Sequence, residues 1–305
     1  MEYALQVAGP YENVLAAARF SEERGLPALA MPDHYLMATK EEQAKTTPAN
    51  DALIQLAGLA RETSSLDLVA LVSPVTFRHP AVLLKTAITI DHMSGGRFSL
   101  GVGTGWLGRE HEVFGFDYPP MSERFAMLEE ALAYLRAGLD PGYPGFSGER
   151  YRLEPFPIAP APIGRIRLLI GGTGSRRTPY LAGTYADEYN VYPGEDMADR
   201  IGRAQAAAAE AGRDPDDLFL SSSGQVVGAD TEDELEEILE QRAHASGMSR
   251  EELSAFIARR NSPIATWERL REQMAALEAA GISRFYLQGG YDAEATPRLM
   301  DRLGI

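Results

Sequence analysis

An aspartate followed by a histidine, Asp33-His34, is the titratable pair in this chain best suited to proton transfer. The pair directly follows residues 28–31, a short apolar segment with the composition of a buried strand. A carboxylate beside an imidazole can fix its tautomer or raise its basicity, and the imidazole can then exchange protons near neutral pH. The structural alternative is a loop in which Asp33 caps backbone groups and His34 packs against it.

A glycine-rich turn at residues 103–106 (Gly-Thr-Gly-Trp) follows a second apolar segment, residues 98–102. Glycines at alternating positions allow a backbone to approach a flat ligand closely. Trp106 is therefore expected to form a lid or one wall of a ligand pocket. The alternative is that Trp106 merely packs against Phe114.

A second glycine-rich turn, residues 171–174 (Gly-Gly-Thr-Gly), leads through Arg176 and Arg177 into a predicted helix. Exposed N–H groups at a helix N-terminus bind anions, and the two arginines add positive charge. The turn lacks the Gly-Lys-Ser/Thr ending of a P-loop and the glycine spacing of a dinucleotide-binding fingerprint. The alternative is an ordinary flexible turn between a strand and a helix.

Other kinds of active site are disfavoured by residue content. The chain has no cysteine, which excludes disulfides, thiolate catalysis and Cys-ligated zinc. No serine lies in a Gly-x-Ser-x-Gly elbow, and no His or carboxylate cluster has metal-ligand spacing, so neither a triad hydrolase nor a metal site is expected. His92 and His111 are assigned structural or solvent-facing roles, and His79 is expected to mark a helix start with Pro80.

The charge balance and hydropathy restrict the partners. The 305 residues carry a formal net charge of −15, which argues against nucleic acid because phosphate binding needs an excess of Lys and Arg. No apolar run approaches the about 18 residues of a membrane span. The first residues lack the basic region of a signal peptide. A cytoplasmic protein without a nucleic-acid or membrane partner is therefore expected.

Strand-like and helix-like segments alternate along the whole chain and predict an α/β fold, a (β/α)8 TIM barrel with insertions. The rival interpretation is a doubly wound open sheet. Function in a barrel lies at the carboxyl ends of the strands, where the Asp-His pair and both glycine-rich turns fall. The predicted strands are residues 4–8, 28–31, 66–72, 98–102, 166–170, 188–192, 218–227 and 284–287.

One domain is predicted over residues 1–305, with an insertion at about residues 138–165. The insertion is rich in Pro and Gly, and apolar residues alternate within it, which indicates a hairpin or a long excursion. Near the C-terminus, Ser262 and Pro263 have the types expected at the N-cap and first position of a helix.

Four segments together resemble the bacterial luciferase-like family of flavin and deazaflavin oxidoreductases. They are residues 32–34, residues 72–80, residues 94–106 with Glu110 and Phe114-Gly115, and residues 169–172 with Ala186-Asp187. The segment 266–281 is also similar, so the resemblance spans roughly residues 25–290. It implies a (β/α)8 barrel with insertions, which agrees with the strand count.

The resemblance also implies a cofactor, FMN or the deazaflavin coenzyme F420, at the carboxyl end of the barrel. A non-prolyl cis peptide is expected behind the cofactor ring, near Ala70-Leu71. The residues expected to line the cofactor are Asp33, Ala70, Leu71, Ser73, Thr104, Gly105, Trp106, Gly171, Gly172, Thr173, Gly174, Arg176 and Arg177.

An Asp-His pair after the second strand is typical of the deazaflavin-using branch, so the resemblance favours coenzyme F420. It implies hydride exchange between the deazaflavin C5 and a small organic substrate, with His34 as proton donor or acceptor and Asp33 as its orienting group. One alternative is an FMN-dependent monooxygenase supplied by a separate reductase. Another is a non-enzymatic flavin-binding or partner protein on the same fold.

The sequence departs from the glucose-6-phosphate dehydrogenases of this family, which carry Glu at the position of Trp106 and Trp at that of Ala38. A sugar-phosphate substrate is therefore not expected. Residues 39–48 and the insertion would shape the substrate pocket. A homodimer is expected, with the hydrophobic helices after strands two to four as the interface.

Overall fold

A computed structural model describes residues 1–37, 49–260 and 262–305. Ala38 and the predicted pocket loop at residues 39–48 lie outside the described residues. The strands of the described part are, in chain order, β1 (Glu2–Gln6), β2 (Ala28–Met31), β3 (Asp67–Pro74), β4 (Phe98–Gly103), β5 (Phe146–Ser147), β6 (Arg152–Leu153), β7 (Arg167–Gly172), β8 (Glu188–Val191), β9 (Phe219–Gly224), β10 (Val227–Ala229), β11 (Ile264–Thr266) and β12 (Arg284–Gln288).

The helices of the described residues lie between and after these strands. They are α1 (Tyr11–Glu23), α2 (Ala52–Glu62), α3 (Pro80–Ser94), α4 (Gly108–Phe114), α5 (Met121–Leu139), α6 (Arg177–Tyr185), α7 (Met197–Glu210), α8 (Glu232–Ala245), α9 (Arg250–Arg260), α10 (Trp267–Ala279) and α11 (Ala295–Leu303), with a 3-10 turn at Pro215–Asp217. No helix among the described residues is long and apolar enough to cross a lipid bilayer.

Eight parallel strands close into a barrel in the order β1-β12-β9-β8-β7-β4-β3-β2. The predicted (β/α)8 barrel is confirmed and the open-sheet alternative is wrong, because β1 pairs with both β2 and β12. Strands β2, β4 and β8 are buried along their whole length. A strand buried on both faces needs side chains that are apolar or hydrogen-bonded, which explains the continuous apolar run of β2. In β8 the buried polar residues Glu188 and Asn190 are hydrogen-bonded to Tyr286 and Ser221.

Ionisable side chains lie at the amino-terminal end of the barrel lumen. Glu188, the first residue of β8, is buried, and desolvation raises the pKa of its carboxyl group. The hydroxyl of Tyr286 donates to Glu188 Oε1 at 3.1 Å, and Arg284 donates to the same hydroxyl at 3.3 Å. Arg284 also pairs with Glu2 at 2.8 Å. The ionisable groups at this end therefore compensate one another. They lie at the end of the barrel opposite to the predicted site.

Two predicted boundaries differ from the structure near the C-terminus. The predicted strand 218–227 is divided, since β9 ends at Gly224 and β10 leaves the barrel to pair with β11. The predicted helix start at Ser262-Pro263 is wrong, because the next residues form β11 and the helix begins at Trp267. Pairing with β10 supplies hydrogen bonds to the backbone of residues 264–266, and this tertiary contact outweighs the local capping signal.

Two other local predictions are confirmed. His79 is the N-cap of α3, and its Nδ1 accepts from the Ala81 N–H at 3.1 Å, with Pro80 as the first helical residue. Within the predicted insertion, β5 and β6 form an antiparallel hairpin, and Tyr151 and Leu153 pack against the main hydrophobic core.

The middle of β3 is irregular where it faces β4. The β3–β4 register shifts between Ala70 and Ser73, and the Leu71–Val72 peptide is cis, one residue beyond the predicted position. Glycines on β4 leave space for this irregularity: a Cβ on Gly101 would lie 2.3 Å from the Ala70 carbonyl oxygen, and one on Gly103 would lie 2.8 Å from Val72. The carboxyl ends of β3 and β4 can approach only because these two residues lack side chains.

Replacing Gly101 with alanine is expected to destabilise the barrel by about 1–3 kcal/mol, because the added methyl overlaps a backbone carbonyl that cannot rotate away. Urea unfolding followed by circular dichroism measures this loss. Gly202→Ala is the matched control, since a Cβ there meets nothing within 4 Å and alanine favours the helix. Equal stability of the two variants would contradict the packing argument.

Candidate active site

Asp33 is completely buried at the carboxyl end of β2 and is compensated by groups from the β3–α3 segment. Its Oδ2 accepts from Ser73 Oγ at 2.5 Å and from the guanidinium of Arg78. Arg78 also donates to Asp51 at 2.6 Å. Burial alone would lower the pKa of Arg78, but Asp33 and Asp51 outweigh it and raise this pKa. The cluster fastens the loop after β2 to the end of β3.

His34 points away from this cluster and is held by Glu110 instead. Its Nδ1 lies 3.0 Å from Glu110 Oε1, and the side chain of Glu110 is fully buried. The other oxygen of Glu110 accepts from the backbone N–H groups of Tyr35 at 3.1 Å and Leu36 at 3.3 Å. The prediction that Asp33 orients His34 is therefore wrong, because the Asp33 carboxylate is occupied by Arg78 and Ser73.

The tautomer of His34 follows from this contact. A carboxylate oxygen accepts hydrogen bonds, so Nδ1 carries the proton that it shares with Glu110. Nε2 has no hydrogen-bond partner among the described residues, and the His34 side chain remains 12% exposed. The arrangement presents Nε2 as the ring nitrogen that can accept or donate a proton.

Trp106 covers one side of His34. The two rings meet edge to face at 5.7 Å, and Trp106 is 54% exposed. This position agrees with a wall or lid at the mouth of the site. The turn that carries Trp106 places an exposed indole and the half-buried imidazole next to each other.

The turn at residues 104–105 is held from outside by Arg124 of α5. Arg124 donates to the carbonyl oxygens of Thr104, at 3.3 Å, and Gly105. Gly105 has φ +75, and a Cβ there would approach Pro74 at 3.3 Å, so this turn requires glycine. Below the turn, His111 Nε2 lies 2.7 Å from Thr76 Oγ1, which confirms the predicted structural role of this histidine.

The predicted cofactor residues on β3 and β7 lie near Val72, together with Gly103 at the end of β4. Ala70, Leu71 and Ser73 are buried. A Cβ on Gly171 would lie 3.5 Å from Val72, which already occupies the space beside Gly103. The irregular part of β3 therefore lies against the glycine-bearing carboxyl ends of β4 and of β7, the strand beyond β4.

The predicted anion site lies at the start of α6. Arg176 is the N-cap residue, no side chain caps the helix, and the first turn contains no acidic residue. Thr173 and Arg176 are exposed, whereas Gly172, with φ +149, and Gly174 are half-buried. Open N–H groups at a helix start without a competing carboxylate fit a phosphate group.

The two arginines of this turn are not equivalent. Arg177 stacks on Phe125 at 4.8 Å and lies 3.7 Å from Glu129, so it is partly engaged with α5. No ion pair of Arg176 is found in the part of the chain that the structure describes. Arg176 is therefore the better candidate for contact with an anion.

Sequence reasoning missed the roles of Glu110, Arg78 and Arg124. Glu110 and Arg78 fall inside motifs that carried the family resemblance, but no local pattern identified their partners. Among the described residues, no group of three or more His, Asp or Glu side chains could hold a metal ion.

Comparison with proteins of known sequence gives partial matches to monooxygenases. A pyrimidine monooxygenase RutA of Allorhizobium ampelinum is 30% identical over 188 residues, which cover 59% of this chain and 50% of that protein. The chain spans about half the length of the RutA relatives that it matches first.

Solved structures with the same fold include enzymes of two cofactor types. An F420-dependent secondary alcohol dehydrogenase has a TM-score of 0.76 at 19% identity, covering 94% of this chain and 92% of that one. A riboflavin lyase (RcaE) with modified FMN has a TM-score of 0.78 at 15% identity, covering 99% and 90%. These likenesses establish the fold.

The sequence model of luciferase-like monooxygenases matches residues 2–284, which includes every barrel strand up to the start of β12 and all of the residues placed in the site above. The chain belongs to the luciferase-like monooxygenase family.

Proposed function

We propose that this chain is an F420-dependent oxidoreductase that transfers a hydride between the deazaflavin C5 and a small organic substrate at the carboxyl end of the barrel. The observation that carries the proposal is the His34–Glu110 pair, in which Nδ1 is held at 3.0 Å and Nε2 has no hydrogen-bond partner among the described residues. A hydride transfer to or from a carbonyl group needs a proton donor or acceptor at the substrate oxygen, and His34 Nε2 is suited to this role.

The residues that would hold the cofactor fit a flat ring attached to a phosphate-bearing chain. Gly103 and Gly171 lack side chains beside Val72, and the open start of α6 with Arg176 suits the phosphate. When bound, the deazaflavin would supply the hydride chemistry, while His34 moves the proton and Glu110 keeps the imidazole in one tautomer. Trp106 would limit access of water to His34.

A second candidate is an FMN-dependent monooxygenase that receives reduced flavin from a separate reductase. The sequence match to pyrimidine monooxygenases favours it. The same glycine-bearing strand ends and the same helix start suit the ring and phosphate of FMN. The two candidates differ in the reaction partner, which is oxygen for the monooxygenase and an oxidisable or reducible substrate for the F420 enzyme.

Equilibrium binding of oxidised coenzyme F420 and of FMN to the purified protein tests the choice. Micromolar or tighter binding of F420, with FMN at least about tenfold weaker, is expected because a tenfold ratio corresponds to about 1.4 kcal/mol. Preference for FMN would reject the first candidate, and oxygen consumption would then test the second. His34→Ala should leave cofactor affinity within about twofold and abolish turnover.

Arg176→Gln is expected to weaken FMN binding about tenfold, because it removes a cationic hydrogen-bond donor from the predicted phosphate position. Riboflavin, which lacks the phosphate, should bind the variant and the parent equally. Fluorescence titration of both flavins measures these affinities. Arg203→Gln, an exposed arginine on α7, is the matched control. An equal loss of riboflavin affinity would contradict the assignment of Arg176 to the phosphate.

Glu110→Gln is expected to mix the tautomers of His34, because the amide of glutamine offers a donor as well as an acceptor. Asp33→Asn should leave the tautomer unchanged and instead lower the stability by about 3 kcal/mol, since it weakens a buried ion pair. Nitrogen-15 NMR of labelled histidine reports the protonated ring nitrogen without turnover. A tautomer change in Asp33→Asn but not in Glu110→Gln would restore the sequence-based assignment.

A further inference from the structure

Neutral polar side chains form a connected chain across the carboxyl end of the barrel lumen. Gln6 ends β1, and its Nε2 donates to the carbonyl oxygen of Leu71 on β3 at 2.7 Å. Because β2 lies between β1 and β3 in the barrel, this bond crosses the lumen. Gln288 ends β12, and its Nε2 donates to Gln6 Oε1 at 2.9 Å.

The direction of these bonds is fixed by the carbonyl group of Leu71, which can only accept. Gln6 must therefore turn its nitrogen toward Leu71 and its oxygen toward Gln288. Gln288 must in turn offer its nitrogen to Gln6, which leaves Gln288 Oε1 as an acceptor. No partner of Gln288 Oε1 is found among the described residues, and Gln288 is partly exposed.

The second hydrogen of Gln288 Nε2 is directed toward two hydroxyl groups, Tyr192 at 3.3 Å and Ser223 at 3.4 Å. The Ser223 hydroxyl donates its own proton to Asn190 Oδ1 at 3.0 Å, and Asn190 Nδ2 donates to Ser221 Oγ at 2.9 Å. The Tyr192 hydroxyl accepts from Gln288, so its proton points elsewhere. Within residues 1–37, 49–260 and 262–305 this proton has no acceptor.

A donor and an acceptor thus stand side by side at the mouth of the lumen, the Tyr192 O–H and Gln288 Oε1. Their surroundings carry no uncompensated charge: Arg200, which donates to the Tyr192 carbonyl at 2.9 Å, is paired with Asp196 at 2.9 Å. The charged lumen residues Glu188 and Arg284 lie at the opposite end of the barrel. The pair is suited to a neutral ligand.

We propose that Tyr192 and Gln288 form a substrate subsite that binds a neutral cyclic amide, whose carbonyl accepts from Tyr192 and whose adjacent N–H donates to Gln288. A cyclic amide carries both groups on one edge, whereas an ordinary secondary amide carries them on opposite sides. The subsite rests on the proposed function, because Gln6 connects it to the Leu71 carbonyl on the predicted cofactor strand β3, while Tyr192 and Gln288 lie on the β12-β9-β8 side of the barrel. The flavin and deazaflavin rings carry a similar edge, so the cofactor is the competing source of this chemistry.

Saturation-transfer NMR with 2-piperidone and N-methyl-2-piperidone tests the subsite, with and without added coenzyme F420. The parent protein should bind 2-piperidone about tenfold more tightly, since the N-methyl analogue cannot donate to Gln288. Tyr192→Phe should reduce this preference to about twofold or less. Gln288→Leu should do the same and serves as the second variant if Tyr192→Phe does not fold, as judged by circular dichroism.

Tyr180→Phe is the matched control, because Tyr180 is 48% exposed on the outer helix α6, and it should keep the full preference. Equal binding of the two lactams by the parent protein would overturn the proposal. So would a tenfold loss of F420 or FMN affinity in Tyr192→Phe with the lactam preference intact, since the pair would then hold the cofactor ring. If the parent binds no cofactor, the proposed function fails, but the lactam preference measured without cofactor still decides the subsite.

Discussion

The burial of two carboxylates, Asp33 and Glu110, is the constraint on which the site depends. Both side chains are fully excluded from solvent, and a buried charge is strongly destabilising unless it is paired and hydrogen-bonded. Asp33 is satisfied by Arg78 and Ser73, and Glu110 by His34 and two backbone N–H groups. Residues 33–36, directly after β2, are therefore fixed both to the end of β3 and to α4, and the position of His34 follows from these two attachments.

Packing imposes a second constraint on the same edge of the barrel. Val72 occupies space that side chains at Gly101 or Gly103 would fill, and it also approaches Gly171. The ends of β3, β4 and β7 are thereby brought together. Arg124 then holds the turn at Thr104 and Gly105 by hydrogen bonds to both carbonyl oxygens, while Trp106 stays exposed beside His34.

The two ends of the lumen have different electrostatic character. Glu188, Tyr286 and Arg284 are charged or strongly polarised at the amino-terminal end, where desolvation raises the pKa of Glu188. Neutral amides and hydroxyls, including those of Gln6 and Gln288, line the carboxyl-terminal end. The neutral groups at this end can discriminate among ligands by hydrogen-bond direction, which rejects poorly matched ligands more strongly than apolar contact does.

The sequence by itself determined the barrel, its eight strands, the hairpin insertion and the glycine-rich turns, because apolar periodicity and turn chemistry are local properties. It also predicted functional roles for His34 and for the start of α6, which stay predictions. It assigned Asp33 as the partner of His34 because the two are neighbours in the chain, and it placed a helix start at Ser262-Pro263. Only the tertiary structure decided otherwise: Glu110, 76 residues from His34, reaches it through the β4–α4 turn, while Asp33 points to Arg78. Residues 264–266 likewise become a strand because β10 lies beside them. In both cases a polar group forms its hydrogen bond with the partner that the fold brings close enough, whether or not the two are neighbours in the sequence.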